Sequence, residues 1–188
     1  MNIGIDIDGV IQDCENYFRA EAEIFDVHNG NLGIKDPSAV KVQNRMGWAK
    51  ETFEKFVNEK MFPIMRVAPL LPCAKEVINW LKAQGHKLFV ITARGTFSNV
   101  EIEIAREMLA SHNLPFDKCC FNAQDKLIPC IEEKIDYMID DSFANIKRVS
   151  EGGIKCLYLR SYRTADVDND NVINVSNWGE IYRFFNNI

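Results

Sequence analysis

Two carboxylates stand two residues apart near the start of the chain, in the stretch Ile5-Asp6-Ile7-Asp8-Gly9. The isoleucines favour a β-strand, and the glycine favours its end. Adjacent acids repel each other and are costly to bury unless a cation compensates them, and a hard divalent ion with oxygen ligands is the usual compensator. Asp and Gly are also ordinary turn residues, so this stretch alone would be interpreted as a solvated turn.

Further polar residues follow at the ends of other predicted elements. Thr92 closes a near-continuous apolar run, and Asp140 with Asp141 ends a second short strand. Because the carboxyl ends of parallel strands meet at one edge of a sheet, we expect these side chains to lie close to Asp6. The grouping of polar residues at one edge indicates a functional site rather than separate turns.

A lysine is expected to reach the same edge from a helix. A helix that precedes a strand in an α/β unit runs antiparallel to it, so its first turn lies over the carboxyl ends of the strands. Lys126 is in the first turn of the helix predicted for residues 125–133, whereas Lys134 lies at the far end. Lys126 is therefore the predicted functional lysine.

The elements that must position these residues alternate regularly after residue 70. Apolar periodicity and turn residues predict a first strand through Ile3, Ile5 and Ile7 and further strands at 87–92, 119–121, 136–139, 154–159 and 172–175. They predict helices at 72–84, 98–112, 125–133 and 142–150, and a last helix that carries Trp178, Ile181, Phe184 and Phe185. This alternation predicts an α/β fold, a Rossmann-like three-layer α/β/α arrangement around a mostly parallel sheet. Residues 13–68 contain helical patterns without a convincing strand and are predicted to be an inserted helical subdomain, so that 1–12 and 69–188 form the core. Residues 161–171 are predicted to be a polar loop.

Size and composition exclude several classes of protein. The chain has 188 residues, is 47% hydrophobic and carries a net charge of -5, which disfavours a nucleic-acid polymer as partner. No apolar stretch approaches the roughly 18 residues that span a bilayer, and no basic flank with an apolar segment begins the chain. The six cysteines lack any Cys-x-x-Cys spacing and are expected to be reduced. We therefore expect a cytoplasmic protein without a membrane partner.

The order of these motifs resembles the haloacid dehalogenase superfamily of phosphohydrolases. The resemblance covers about residues 2–11 and 70–160, and it depends on Asp-x-Asp-Gly-Val, then Thr, then Lys, then Asp-Asp. The stretches Ile5–Val10, Ile91–Arg94 and Ile139–Ser142 look most like the small 5'(3')-deoxyribonucleotidases and their bacterial nucleotidase relatives. The resemblance implies a haloacid dehalogenase-like core with residues 13–68 as a cap.

That resemblance implies roles for the two leading acids. Asp6 would be the nucleophile that forms an aspartyl-phosphate, and it would also be a metal ligand. Asp8 would be the general acid and base, and its backbone carbonyl would be a further metal ligand. The implied cofactor is Mg²⁺, held by Asp6, Asp8 and Asp140.

The remaining site residues would hold the phosphoryl group or support the metal. Thr92, Ala93 and Lys126 match the phosphate-binding positions, and Asp141 matches a supporting position. Arg94 could contact the phosphate of the substrate or make a structural salt bridge. Ser142 could act only as a helix cap. The three histidines occur singly and receive no catalytic role.

The implied reaction is hydrolysis of a small phosphomonoester, with a nucleoside monophosphate as the expected substrate. A sugar phosphate or another metabolite is the alternative. A non-enzymatic, phosphoryl-accepting regulatory module is disfavoured, because receiver domains carry the acceptor on a middle strand and lack the acid that Asp8 supplies. Specificity would come from the cap, where Trp48 is the first candidate for a base contact, although any single aromatic there is more often a core residue.

Overall fold

The computed structural model describes residues 1–37, 39, 41–160 and 165–188. The chain divides into two compact units, which we call the sheet unit (residues 1–12 and 70–188) and the helical unit (residues 13–69). Residues 161–164 of the predicted polar loop lie outside the described residues.

The sheet unit contains a parallel sheet. Its strands are β1 (Asn2–Ile5), β2 (Lys87–Ile91), β3 (Lys118–Cys120), β4 (Tyr137–Asp140), β5 (Lys155–Leu159) and β6 (Val172–Val175). Their order is β3-β2-β1-β4-β5-β6, and each adjacent pair is parallel. The predicted α/β class with a parallel sheet is confirmed, and β1 lies between β2 and β4.

The helical unit contains four α-helices in its described residues, of which the first is the longest. These are α1 (Cys14–His28), α2 (Val42–Arg45), α3 (Lys50–Phe56) and α4 (Phe62–Val67), with π-helical residues Val57–Met61 between α3 and α4. An aromatic cluster lies at its centre: the ring centroids of Phe25, Trp48 and Phe56 are 5.0–5.3 Å apart. The amide of Asp13 donates to the carbonyl of Pro69 at 2.9 Å, which brings the two ends of the unit together.

Helices cover both faces of the sheet. They are α5 (Ala74–Ala83), α6 (Asn99–Ser111), α7 (Leu127–Glu132), α8 (Phe143–Glu151) and α9 (Trp178–Asn186). One hydrophobic cluster joins alternate strand residues such as Ile3 and Val90 to α5, α6 and α9, and the other joins Ile91 and Met138 to α7 and α8. This alternation is the period of two that a strand buried on both faces requires. In the described part of the chain, no helix has the length and apolar character needed to cross a bilayer.

One glycine in β1 is required by this packing. A Cβ at Gly4 would lie 2.9 Å from side-chain atoms of both Ile91 and Met138, on the face covered by α7 and α8. Such distances are shorter than real carbon contacts allow, so the neighbouring strands already fill the space above Gly4. β1 therefore packs closely between β2 and β4, and Asp6, the first residue after β1, lies between the ends of these two strands.

Candidate active site

Polar side chains meet at the carboxyl edge of the three central strands. Asp6 directly follows β1, and its amide donates to the carbonyl of Ile139 at 3.0 Å. Thr92 follows β2, one residue beyond the strand rather than inside it as predicted, and Asp140 is the last residue of β4. Since β2, β1 and β4 are neighbours, the structure brings the ends of these strands together.

A tight turn follows β1 and fixes the direction of its two acids. The carbonyl of Ile7 accepts hydrogen bonds from the amides of Ile11 and Gln12, both at 2.9 Å. Gly9 in this turn has φ +75°, and a Cβ there would lie 2.1 Å from Oδ2 of Asp141. The missing side chain of Gly9 therefore leaves the space that the Asp141 carboxylate occupies.

Lys126 joins the acids of two strands. Its Nζ lies 2.7 Å from Oδ2 of Asp6 and 2.6 Å from Oδ2 of Asp140, and its side chain is 2% exposed. Lys126 occupies the N-cap position of α7 rather than its first turn, a shift of one or two residues from the prediction. The backbone of Lys134 accepts a hydrogen bond from the side chain of Asn2, at the opposite, amino end of β1.

Burial and charge set the protonation of this cluster. Burial raises the pKa of Asp6 to about 6; Lys126 opposes that rise, and the charges of Asp140 and Asp8 add to it. Burial favours a lower pKa for Lys126, but the carboxylates of Asp140 and Asp6 outweigh it and raise that pKa above its ordinary value. Lys126 is therefore a cation, and it compensates only one of the two carboxylates that it contacts.

Three acids at this edge could hold a metal ion. Asp6, Asp140 and Asp141 each offer a carboxylate oxygen, and these oxygens lie within 4.8 Å of one another. A donor set made only of oxygen suits Mg²⁺ or another hard divalent cation. The residues present therefore fit the ion that the resemblance implies, with Asp141 contributing an oxygen that we had predicted only to support the metal.

Asp140 is oriented by the backbone of Ser142 and by Asn145, a residue for which the sequence predicts no role. Its Oδ1 accepts the amide of Ser142 at 2.8 Å, and the side-chain amide of Asn145 donates to Oδ1 at 3.2 Å and to Oδ2 at 3.1 Å. The side chain of Ser142 makes no capping bond to α8, so the serine acts here through its backbone. The position of Asn145 in the first turn of the following helix was the available signal for its role.

The carboxylate of Asp8 is directed to an arginine. Arg94 donates from Nε to Oδ2 of Asp8 at 3.0 Å and from Nη2 to Oδ1 at 2.7 Å. Nη2 of Arg94 also donates to Oε1 of Gln12 at 2.9 Å, and Arg94 and Gln12 are 2% and 1% exposed. Of the two roles considered for Arg94, the structure shows the salt bridge. Gln12 carried no signal in the sequence.

The segment after β2 is held by a buried acid. Oε2 of Glu101 accepts the amides of Gly95 at 2.8 Å and Phe97 at 3.0 Å, and Glu101 is 3% exposed. The spacing Ser98-x-x-Glu101 is typical of a capping box. Ser98 does accept the amide of Val100, but Glu101 binds the preceding loop instead of the Ser98 amide. Glu101 therefore shapes the loop that contains the predicted phosphate ligands.

The predicted phosphate ligands lie at the start of this loop. Oγ1 of Thr92 accepts the amide of Arg94 at 3.3 Å, and Thr92 is buried. Ala93 is exposed, and its carbonyl accepts both the amide and the hydroxyl of Thr96. The hydroxyl of Thr92 and the backbone beside it are thus fixed before any substrate binds.

Trp48 in the helical unit has a structural environment. Its indole Nε1 donates to Oδ1 of Asp26 at 2.6 Å, and its ring packs against Phe25 and Phe56. Asp26 is buried and also accepts the amide of Gly33. These contacts favour the core-packing alternative for Trp48 over a base contact.

Two curated proteins that carry nucleotidase names are similar to this chain over nearly its whole length. No family model matches the chain. A nucleotidase of Clostridium acetobutylicum is 24% identical over 190 residues, which cover 97% of this chain and 92% of that protein. The Bacillus subtilis protein YqfW, which also carries a nucleotidase name, is 27% identical over 190 residues, covering 100% of this chain and 94% of YqfW.

Solved structures agree on the fold. A haloacid dehalogenase-like family hydrolase of Streptococcus pneumoniae superposes with a TM-score of 0.64 at 16% identity, covering 98% of this chain and 97% of that one. The chain therefore has the haloacid dehalogenase-like fold, and the resemblance predicted from its motifs is confirmed. Fold, acidic edge and relatives together support the predicted class of enzyme, a phosphatase-type hydrolase.

Proposed function

We propose that the protein is a Mg²⁺-dependent phosphomonoester hydrolase that works through an aspartyl-phosphate on Asp6. Its proposed substrates are ribo- or deoxyribonucleoside 5'-monophosphates. The observation that carries the proposal is the contact of Lys126 with both Asp6 and Asp140 at the end of the central strand. A carboxylate can attack a phosphoryl group only where the negative charge of both partners is compensated, and Lys126 together with a bound Mg²⁺ would supply that compensation.

In the first step, the carboxylate of Asp6 attacks phosphorus. The phosphorus–oxygen bond to the nucleoside breaks, and Asp8 gives a proton to the departing oxygen. Lys126 balances the charge of the nucleophile and of the phosphoryl group. The Thr92 hydroxyl and the Ala93 amide donate hydrogen bonds to phosphoryl oxygens.

In the second step, water hydrolyses the aspartyl-phosphate. Asp8, now ionised, takes a proton from the water while the new phosphorus–oxygen bond forms. The bond between phosphorus and the Asp6 carboxylate breaks, and inorganic phosphate leaves. The two acids at the end of β1 thus have different tasks, and their different partners (Lys126 for Asp6, Arg94 for Asp8) fit this division.

Asp6, Asp140 and Asp141 would hold Mg²⁺ through their carboxylates, with the backbone carbonyl of Asp8 as a further ligand. When bound, the ion would supply positive charge to the phosphoryl oxygens as a Lewis acid. The support for this assignment is the approach of three carboxylate oxygens to within 4.8 Å of one another.

Support for a nucleotide comes from the relatives: both carry nucleotidase names. A sugar phosphate would use the same catalytic residues and would differ only in its leaving group. A cytoplasmic location stays a prediction, consistent with a substrate of this kind. The substrate class is therefore the part of the proposal that a direct assay must decide.

The test is a hydrolysis screen with Mg²⁺ over nucleoside 5'- and 3'-monophosphates, sugar phosphates and an aryl phosphate. We expect the highest kcat/KM with a nucleoside 5'-monophosphate. Strong activity on sugar phosphates without activity on nucleotides would contradict the proposed substrate. Phosphorylation without turnover would indicate a regulatory module instead of an enzyme.

The covalent step has its own test. We expect Asp6→Asn to abolish turnover while the fold is kept, and acid quenching of the wild-type reaction should yield a phosphorylated peptide that contains Asp6. Asp168→Asn changes an exposed acid of the sheet unit and is the control that should keep full activity. A wild-type kcat in Asp6→Asn would refute the covalent mechanism.

A further inference from the structure

A buried arginine holds the acid that the proposed mechanism uses for proton transfer. Arg94 binds both carboxylate oxygens of Asp8 through two different nitrogens, at 3.0 and 2.7 Å. Such a two-pronged pair fixes the plane and the direction of the carboxylate, which a single contact cannot do. The side chain of Asp8 is 22% exposed and that of Arg94 is 1% exposed, so the acid can meet solvent while its support stays buried.

The backbone around Arg94 is fixed on both sides. Its carbonyl accepts the amide of Asn122 at 2.7 Å, and its own amide donates to the hydroxyl of Thr92 at 3.3 Å. The next residue, Gly95, has its amide bound by Glu101 and a φ of +105°. Arg94 therefore extends from a rigid loop, and Gln12 holds its Nη2 at 2.9 Å from the turn after β1.

This geometry disfavours Arg94 as a ligand of the substrate phosphate. A phosphoryl group that took the nitrogens Nε and Nη2 would have to displace a two-pronged carboxylate that is already in place. The guanidinium of this pair is buried and the carboxylate is only partly exposed, so breaking their two hydrogen bonds would be unfavourable. Thr92, Ala93 and Lys126 remain as donors for the phosphoryl oxygens.

We propose that Arg94, supported by Gln12, is a positioning residue that orients Asp8 for activation of the hydrolytic water. The inference rests on the proposed phosphatase function. Once Asp8 has given its proton to the departing oxygen, it is a carboxylate that only accepts hydrogen bonds, and the guanidinium stabilises and directs this form, which takes a proton from water in the second step. Loss of the support should therefore slow hydrolysis of the aspartyl-phosphate more than its formation.

An aryl phosphate separates the two steps. Its leaving group is stable as an anion and needs little protonation, so formation of the aspartyl-phosphate does not depend on Asp8. In Arg94→Lys, which keeps the charge but not the two-pronged contact, we expect kcat to fall by about 10–100-fold, which is no more than the lower end of the roughly 100- to 10,000-fold that a general base contributes, because Asp8 itself remains. KM should fall by the same factor, so kcat/KM is unchanged, and a burst of one aryl alcohol per active site should precede slow turnover.

Two further variants complete the experiment. Gln12→Met removes the second acceptor of Arg94 and should show the same pattern more weakly, and it carries the test if Arg94→Lys does not fold. Arg148→Lys alters an exposed pair with Asp125, in which Nε donates to Oδ1 at 3.3 Å and Nη2 donates to Oδ2 at 2.9 Å, and should change neither kcat nor KM. Far-ultraviolet circular dichroism should show that all three variants are folded.

The outcomes separate this inference from the proposed function. Absence of turnover in the wild type would refute both. Turnover in the wild type, together with a raised KM and a lowered kcat/KM in Arg94→Lys, would overturn the positioning role alone, since a direct phosphate ligand gives that pattern. An unchanged kcat in both Arg94→Lys and Gln12→Met would also overturn it.

Discussion

Replacing Lys126 tests the electrostatic arrangement of the site most directly. Lys126→Met keeps a side chain of similar length but removes the charge that lies 2.7 Å from Asp6 and 2.6 Å from Asp140. The two buried carboxylates would then repel each other without a cation between them. We expect turnover to be lost and the protein to be destabilised at neutral pH.

The size of the destabilisation follows from burial. Lys126, Asp6 and Asp140 are 2%, 7% and 0% exposed, so solvent cannot replace the lost contacts. Removing one partner of a buried ion pair costs about 3–5 kcal/mol. For a domain of this size, that corresponds to a fall of roughly 6–20 °C in melting temperature.

Acid and divalent cations should restore part of the stability that Lys126→Met loses. The pKa of Asp6 is raised by burial to about 6, and protonation of Asp6 removes the repulsion, so the difference from wild type should shrink as the pH falls. A bound cation replaces the missing positive charge, so Mg²⁺ should bind Lys126→Met more tightly than wild type and should stabilise it more. The variant would thus gain affinity for the metal while it loses activity.

Urea unfolding with and without Mg²⁺, at neutral and acidic pH, measures all of these effects. Lys82→Met is the matched control, because Lys82 contacts Asp117 at the same 2.6 Å but with side chains 35% and 37% exposed. Its free energy of unfolding should change by no more than about 1 kcal/mol. A decrease in the free energy of unfolding of Lys126→Met that is the same at both pH values and unaffected by Mg²⁺ would refute this reasoning.

Three other predictions follow from the same structure. Burial raises the pKa of Asp6 from 3.8 to about 6, so between these two pH values the folded, metal-free protein binds more protons than the unfolded chain. The free energy of unfolding should therefore fall by about 3 kcal/mol as the pH rises through this range. Urea unfolding should show this dependence on pH in wild type and not in Asp6→Asn. Gly9→Ala should weaken Mg²⁺ binding in calorimetric titration, because its Cβ would displace the Asp141 carboxylate. The control is Gly153→Ala, where φ is +84° and the space is open, so that the change adds only backbone strain. Equal affinities of the two variants for Mg²⁺ would contradict this prediction. Tyr158→Phe removes a buried hydroxyl without a hydrogen-bond partner among the described residues and should leave thermal stability unchanged or raised; a loss of about 1 kcal/mol or more would reveal an ordered water there.

The periodicity of the sequence predicted most of the sheet unit. The strands at Lys87–Ile91 and Tyr137–Asp140 lie within one residue of their predicted bounds, because apolar runs between turn residues have few other ways to be buried. The helix predicted for residues 125–133 is longer than the observed α7, so Lys126 lies at the N-cap of α7 and not in its first turn. Helix ends depend on local hydrogen bonds that periodicity does not report.

The site was predicted less completely than the fold. Asp6, Asp140 and Lys126 could be placed at one edge, because the carboxyl ends of parallel strands and the first turns of the helices between them meet there. Gln12, Glu101 and Asn145, the residues that hold this edge in shape, were missed. They act through side-chain hydrogen bonds to partners 4 to 82 positions away, and these bonds are not part of a helix or strand repeat.

By itself, the sequence determined the parallel α/β fold and the set of residues that could carry out phosphoryl chemistry, since residue type and strand position are local properties. Only the tertiary structure decided how those residues are paired. It assigned Lys126 to Asp6 and Asp140, and it assigned Arg94 to Asp8, because the partner of a buried charge is chosen by packing in three dimensions. That pairing gives the two acids of the first motif different environments and, in the proposed mechanism, different tasks.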